Sequence, residues 1–200
     1  MSKTIKIFVP IFLVTTLIIT YIAPFIETSE NISEEVFRLH ILANSDSDED
    51  QNLKLKVRDR ILNSSQELFL NCSTIDEVIK VSENNISYFE NQAKECIKEN
   101  GYNYKVNVYV DKEYFNTREY DTITLPSGIY NALKIEIGRA QGHNWWCVMF
   151  PAICLPAVSE DEINSILSEE EIKLINSSNK YEIRFKIVEI YEKIKSKLNK

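Results

Sequence analysis

In a chain of 200 residues, the stretch beyond the first 26 is long enough for one domain with a substantial core and hardly enough for two. The net charge is −7; the first 26 residues hold two lysines and no acids, so the remainder carries 21 basic against 30 acidic residues, or −9. Such a surface repels phosphate backbones, and only four glycines (Gly101, Gly128, Gly138, Gly142) leave no glycine-rich phosphate cradle, which excludes nucleic acids and nucleotides as ligand classes.

Lys3 and Lys6 precede an uncharged, mostly apolar run from Ile7 to Ile26. A helix of that length reaches about 30 Å, the thickness of a bilayer's hydrocarbon core. Glu27, Glu30, Glu34 and Glu35 follow it, so the positive-inside rule keeps the tip in the cytoplasm and sends the rest across the membrane. Ala23 follows bulky Tyr21 and Ile22 and precedes Pro24, a poor match to an A-x-A cleavage site. Residues 1–28 therefore read as a signal peptide or an uncleaved transmembrane anchor, with the anchor favoured, and residues 29–200 as a single extracytoplasmic domain.

Glu35 to Asn44 alternates Val36, Arg38, His40 and Leu42 with Phe37, Leu39, Ile41 and Ala43, the pattern of a strand with one wholly apolar face. Asp46, Asp48, Glu49 and Asp50 then gather before a helical run carrying Leu53, Val57, Ile61 and Leu68, where carboxylates favour the positive end of the helix dipole. A second helix opens at Thr74 with Glu77 as capping box, carries Ile75, Val78, Ile79, Ile86, Phe89, Ala93 and Ile97 inward, and stops at Gly101. A strand through Tyr104, Val106, Val108 and Val110 comes next. Pro126, Ser127 and Gly128 suit a hairpin turn between YDTITL and IYNALKIEIG, and NWWCVMF supplies a further strand. Ser159 and Glu162 announce another helix, and Tyr181 to Leu198 the last, whose lysines alternate with Glu182, Glu189 and Glu192 as on a solvated face. The predicted fold is α+β, with a largely antiparallel sheet of four to five strands packed with helices.

The stretch from Gly142 to Pro156, GHNWWCVMFPAICLP, holds both tryptophans. On a strand Trp145 and Trp146 point to opposite faces, so at most one is an ordinary core residue of a one-sided sheet. Four cysteines in an exported chain permit three full pairings; Cys147 with Cys154 is the most local, and is the candidate disulfide. Asp46, Asp48 and Asp50 have the spacing of an EF-hand loop, but Gln51 stands where that loop needs glycine and Val57 where it needs glutamate. Two distant histidines, His40 and His143, and no C-x-x-C leave no zinc set, so neither metal nor cofactor is expected. Ser45, His40 and Asp48 make a triad only on paper; on a strand His143 and Cys147 stand roughly 13 Å apart, too far for proton transfer. Ser177 to Lys180 spells S-x-x-K without its companion motifs.

FRLHILANSDSDEDQNLKLKVRDRIL, from Phe37 to Leu62, and LPSGIYNALKIEIGRAQGHNWWCVMFPAIC, from Leu125 to Cys154, resemble the signature blocks of the stage II sporulation protein R family. With the apolar N-terminus the resemblance covers most of the chain, more weakly at the two C-terminal helices. It implies a signalling protein, not an enzyme, made in the forespore and exported toward the space between forespore and mother cell. There it would switch on a membrane-embedded aspartic peptidase that processes pro-sigma factor E, with residues 7–26 as membrane attachment and no small-molecule ligand. The family offers no catalytic signature to transfer. Asn44, Ser45, Asp46, Ser47 and Asp48, with Trp145 and Trp146, are the candidate partner-binding residues, although Asn and Ser at a strand-to-helix corner also serve as caps. The alternative from another class is a cell-envelope hydrolase using Cys147 or a carboxylate pair.

Overall fold

The computed structural model describes residues 3–120, 123–151, 166–176 and 182–198. In chain order the elements are α1 (Lys3–Glu35), β1 (Phe37–Leu42), α2 (Asp48–Phe69), α3 (Ile75–Asn84), α4 (Ile86–Glu99), β2 (Val106–Phe115), β3 (Arg118–Glu119), β4 (Thr124–Leu125), β5 (Gly128–Ile137), β6 (Asn144–Phe150), α5 (Glu169–Ile175) and α6 (Glu182–Leu198). They form two compact units. One comprises Met1–Ser33, Phe115–Gly128 and Glu169–Lys200; the other comprises Glu34–Tyr114 and Ile129–Ser168.

The second unit is built on a four-stranded sheet in the order β2-β5-β1-β6. Strand β1 runs antiparallel to β6, with Leu39 opposite Cys147, but parallel to β5, with Leu39 opposite Leu133. The sheet is therefore mixed, which corrects the largely antiparallel expectation. A parallel pair needs a long crossover, and the chain supplies one by forming α2, α3, α4 and β2 between β1 and β5. The three helices bring Leu53, Val57, Ile61, Val78, Phe89, Ala93 and Ile97 into one core with Phe37, Leu39 and Ile41 of β1 and Leu133, Ile135 and Ile137 of β5.

Helix ends follow the local chemistry. Ser47 caps α2 by accepting from Asp50 N, with Asp48, Glu49 and Asp50 in the first turn. Thr74 and Glu77 form the expected capping box. The single helix expected from Thr74 is instead two, α3 and α4, divided at Asn85 (φ −115°, ψ 20°). Asn85 Nδ2 donates to Val81 O, the kind of side-chain competition with the backbone ladder that makes asparagine a poor helix residue. Gly101, at φ 84°, closes α4: its N–H reaches Lys98 O and Tyr102 N reaches Ile97 O, the two bonds of a Schellman cap.

The hairpin expected around Pro126, Ser127 and Gly128 does not form. Strand β4 pairs with β3, Arg118 opposite Leu125, while β5 belongs to the four-stranded sheet. The proline-containing stretch is a passage between two sheets rather than a tight turn within one. In the first unit, Phe25 of α1 meets Phe185 of α6 edge to face, with ring centroids 5.5 Å apart. The helix expected after Ser159 lies outside the described residues, as do Ser177 to Lys180.

Phe89→Ala removes a fully buried ring from the helix–sheet core and is expected to cost about 3 to 5 kcal/mol in denaturant melts of the detergent-solubilised chain. The neighbouring Tyr88→Ala, at an exposed position, is expected to change stability by only about 0.5 kcal/mol. Equal losses at the two positions would contradict this packing of α4.

Candidate functional site

Because β1 lies between β5 and β6, Leu42 at its end stands beside both Glu136 and Asn144. The loop from Gly138 to His143 consequently arches over the corner where the chain leaves β1 and enters α2. Both blocks singled out in the sequence meet there. Gly142 N donates to Ala43 O at 2.9 Å and Gln141 N to Asn44 O at 3.4 Å, while Arg139 N reaches the Asn44 side-chain oxygen at 3.1 Å. The approach is too close for side chains at two points. A Cβ on Gly138, itself at φ 62°, would strike the Asn44 side chain, and one on Gly142 would strike the Ser45 carbonyl.

Asp50 is the centre of the corner. Its Oδ2 accepts from Asn44 Nδ2 at 2.7 Å and from Ser45 Oγ at 2.5 Å. Burial alone would raise the pKa of this carboxyl, but the hydrogen bonds from Ser45, Asn44 and Tyr104 and the positive charge of Arg139 outweigh it and hold the group below its ordinary value. Gln51 Nε2 donates to Ser45 O, and Lys54 Nζ bridges Gln51 Oε1 and His143 O at 2.5 and 2.9 Å. Lys54 is almost fully buried, and that burial lowers its pKa against the opposing pull of Asp46. At the tip, Asp46 Oδ1 takes both the backbone N–H and the Nδ1 of His143; their side chains are 54% and 79% exposed.

The structure thus divides the candidate contact residues. Asn44, Ser45 and Ser47 commit their side chains to bonds within the corner, whereas Asp46 and Asp48 face outward. Trp145 and Trp146 lie on opposite faces of the sheet, each half-buried. Trp145 packs against the helical core, with the Arg58 guanidinium 4.5 Å from its ring centroid. Trp146 stands beside His40, ring centroids 5.9 Å apart.

That second face carries groups the sequence reading did not single out as a site. His40 Nδ1 meets Glu113 Oε1 at 2.5 Å, its Nε2 meets Asn144 Oδ1 at 2.8 Å, and Lys134 completes the cluster on Glu113 Oε2 at 3.3 Å. Burial works to raise the Glu113 pKa, but His40 and Lys134 bring it below the usual range; burial works to lower that of Lys134, and Glu113 raises it. Arg38, fully buried, lies over the Tyr130 ring at 4.9 Å. The only signal in the sequence was the placement of Arg38 and His40 at alternate positions of an otherwise apolar strand. Among the described residues no three His, Cys, Asp or Glu side chains are grouped to hold a metal.

Cys147 is disulfide-bonded and buried, so in this state it offers no thiolate for the hydrolase alternative. Its expected partner, Cys154, lies outside the described residues. Cys72 and Cys96 are free, with burial pushing both thiol pKa values up.

Two substitutions test the corner. Gly142→Ala is expected to destabilise the chain by about 1 to 3 kcal/mol, since the Ser45 carbonyl must give way. Asp50→Asn carries a pH signature. The folded carboxyl has the lower pKa, so its contribution is complete above the unfolded value of about 3.9 and is lost as pH falls through the folded one. The wild type should therefore exceed Asp50→Asn in urea melts at pH 7 by about 1 to 3 kcal/mol, and the gap should shrink below pH 4. A gap independent of pH would contradict the arrangement.

The family model described as stage II sporulation protein R matches residues 33–160. Stage II sporulation protein R of Bacillus subtilis (strain 168) is 35% identical over 168 residues, which cover 81% of this chain and 75% of the relative. No solved structure matches. The matched span contains the whole Asn44 to Asp50 corner and the loop that closes over it, and the chain belongs to the stage II sporulation protein R family.

Proposed function

We propose that this chain is an exported signalling protein of sporulation that activates a membrane-embedded aspartic peptidase, which in turn processes pro-sigma factor E. The observation that carries the reading is the family match over residues 33–160 in a chain that opens with an apolar helix able to cross a membrane. The action is one of contact rather than turnover. The corner holds its polar groups in bonds to one another, leaving Asp46, Asp48, His143 and the half-buried Trp146 as the groups a partner would meet. A half-buried indole joins a large apolar area to an N–H donor, the combination favoured at protein interfaces.

The test is deletion of the gene in a spore-forming host with immunoblotting of the sigma E precursor, followed by complementation. Without the chain the precursor should accumulate, and normal processing would reject the proposal. Complementation separates the tryptophans. Trp145→Ala, on the helical core, is expected to cost about 3 kcal/mol of stability. Trp146→Ala should leave the melt nearly unchanged while weakening activation, by about 2 kcal/mol of binding or more if it is an anchor of the interface. Purified protein incubated with peptidoglycan and peptide libraries should release nothing; turnover would favour the hydrolase.

A further inference from the structure

Helix α1 does two different things along its length. At about 1.5 Å per residue its 33 residues span roughly 50 Å, well beyond the roughly 30 Å of a bilayer's hydrocarbon core. From Ile7 onward it is strongly apolar and most of its large side chains are exposed; Phe8 is 71% and Phe12 68% exposed. At Phe25 the pattern reverses. Phe25, Ser29, Ile32 and Ser33 are all buried, on the i, i+4, i+7, i+8 spacing of a single helical stripe.

What buries the outer segment is specific. Phe25 meets Phe185 of α6, and the Glu30 carboxylate accepts from Lys195 Nζ at 2.5 Å and Tyr191 OH at 3.2 Å. Residue 25 pairs with 185, and residue 30 with 191 and 195, so α6 runs in the same direction as α1 and begins level with the end of the apolar run. The Phe185 and Val188 side chains of α6 are themselves buried. The region just past the apolar run, where a leader would be cut, is therefore folded helix and packed interface. A peptidase needs that region extended with small residues before the cut, and here it reads Tyr21, Ile22, Ala23, Pro24, Phe25.

We infer that α1 is a retained anchor: residues 7 to about 24 bind a lipid bilayer, and residues 25 to 33 are a permanent part of the unit formed with α6. Exposed apolar side chains over a bilayer's thickness fit hydrocarbon, and lysines before with glutamates after fit the two surfaces of a membrane. The protein then works while attached to the membrane it entered, and does not diffuse away. This inference concerns the chain's own N-terminus and stands whether or not the peptidase reading holds.

The experiment uses the full chain, tagged at its C-terminus and expressed in cells with their membranes. Intact-mass spectrometry of the purified protein is expected to give the uncut chain, and alkaline carbonate should leave it in the membrane pellet. A species beginning anywhere between residues 22 and 35, or a full-length chain washed off by carbonate, overturns the inference. The coupling is read separately by trypsin treatment of washed, opened membranes. Phe25→Ala should speed cleavage at Lys186 and Lys193 of α6 several-fold, whereas Phe12→Ala, on the lipid-facing stretch, should not. Equal cleavage of the two variants overturns the structural role of residues 25 to 33, and the mass measurement on the unsubstituted chain holds even if Phe25→Ala fails to accumulate.

Discussion

Strand β1 is hydrogen-bonded to a neighbour on each edge and buried on both faces, and the rest of its unit is arranged around that constraint. A strand so enclosed cannot leave its polar side chains to water. Arg38 has its guanidinium over Tyr130, and His40 has a hydrogen-bond partner for each ring nitrogen in Glu113 and Asn144. The register that puts Leu42 between Glu136 and Asn144 also brings the Gly138 to His143 loop onto the start of α2. The closed corner is thus a consequence of strand order, since a different neighbour for β1 would take away the Arg139 and Gln141 N–H groups that reach the Asn44 side-chain and backbone oxygens.

The parts of the fold legible in the sequence are those decided within a few residues. The Thr74 and Glu77 box, the Ser47 cap and the Gly101 stop all depend on groups separated by five positions or fewer, and each forms. The alternation in NWWCVMF placed Trp145 and Trp146 on opposite faces, as found. What could not be read is long-range. Parallel pairing of β1 with β5 depends on segments about 94 positions apart, and a strand with Arg38 and His40 on one face resembles the half-exposed strand of an antiparallel sheet. The Pro126, Ser127 and Gly128 stretch has hairpin composition, but composition does not say which strands it joins. The helix division at Asn85 is local, and the sequence reading passed over it because the apolar spacing continues on both sides.

The corner was legible in the same partial sense. That Asn and Ser there cap a helix follows from their chemistry, and the bonds that Asp50 accepts from them lie within the first block; that Gly138 and Gly142 are required by close approach needs the second block to be in place. Burying a carboxylate is unfavourable unless donors surround it, and burying Lys54 likewise needs acceptors. Asp50 has its donors in Asn44, Ser45 and Tyr104, and Lys54 its acceptors in Gln51 and the His143 carbonyl. Such paired, enclosed groups hold the two loops in one relative position, which an apolar contact of the same size would not do, because dispersion has little directional preference.

This has a consequence for recognition. A residue whose side chain is already fixed inside the corner can act on a partner only through the shape it maintains, so Asn44, Ser45 and Ser47 set geometry for others. Asp46 and His143 differ from them in being bonded to each other and yet exposed, so that their pairing orders the tip without covering it. An ordered polar tip loses less conformational entropy on meeting a partner than a free loop would, and the cost of holding it has already been met during folding. The same reasoning distinguishes the tryptophans: Trp145 is held against the helical core beneath Arg58, whereas Trp146, equally half-buried, stands beside His40 on the opposite face. Removing Trp145 would therefore disturb the packing that keeps the sheet and its helices together, whereas Trp146 lies on the other face, against His40.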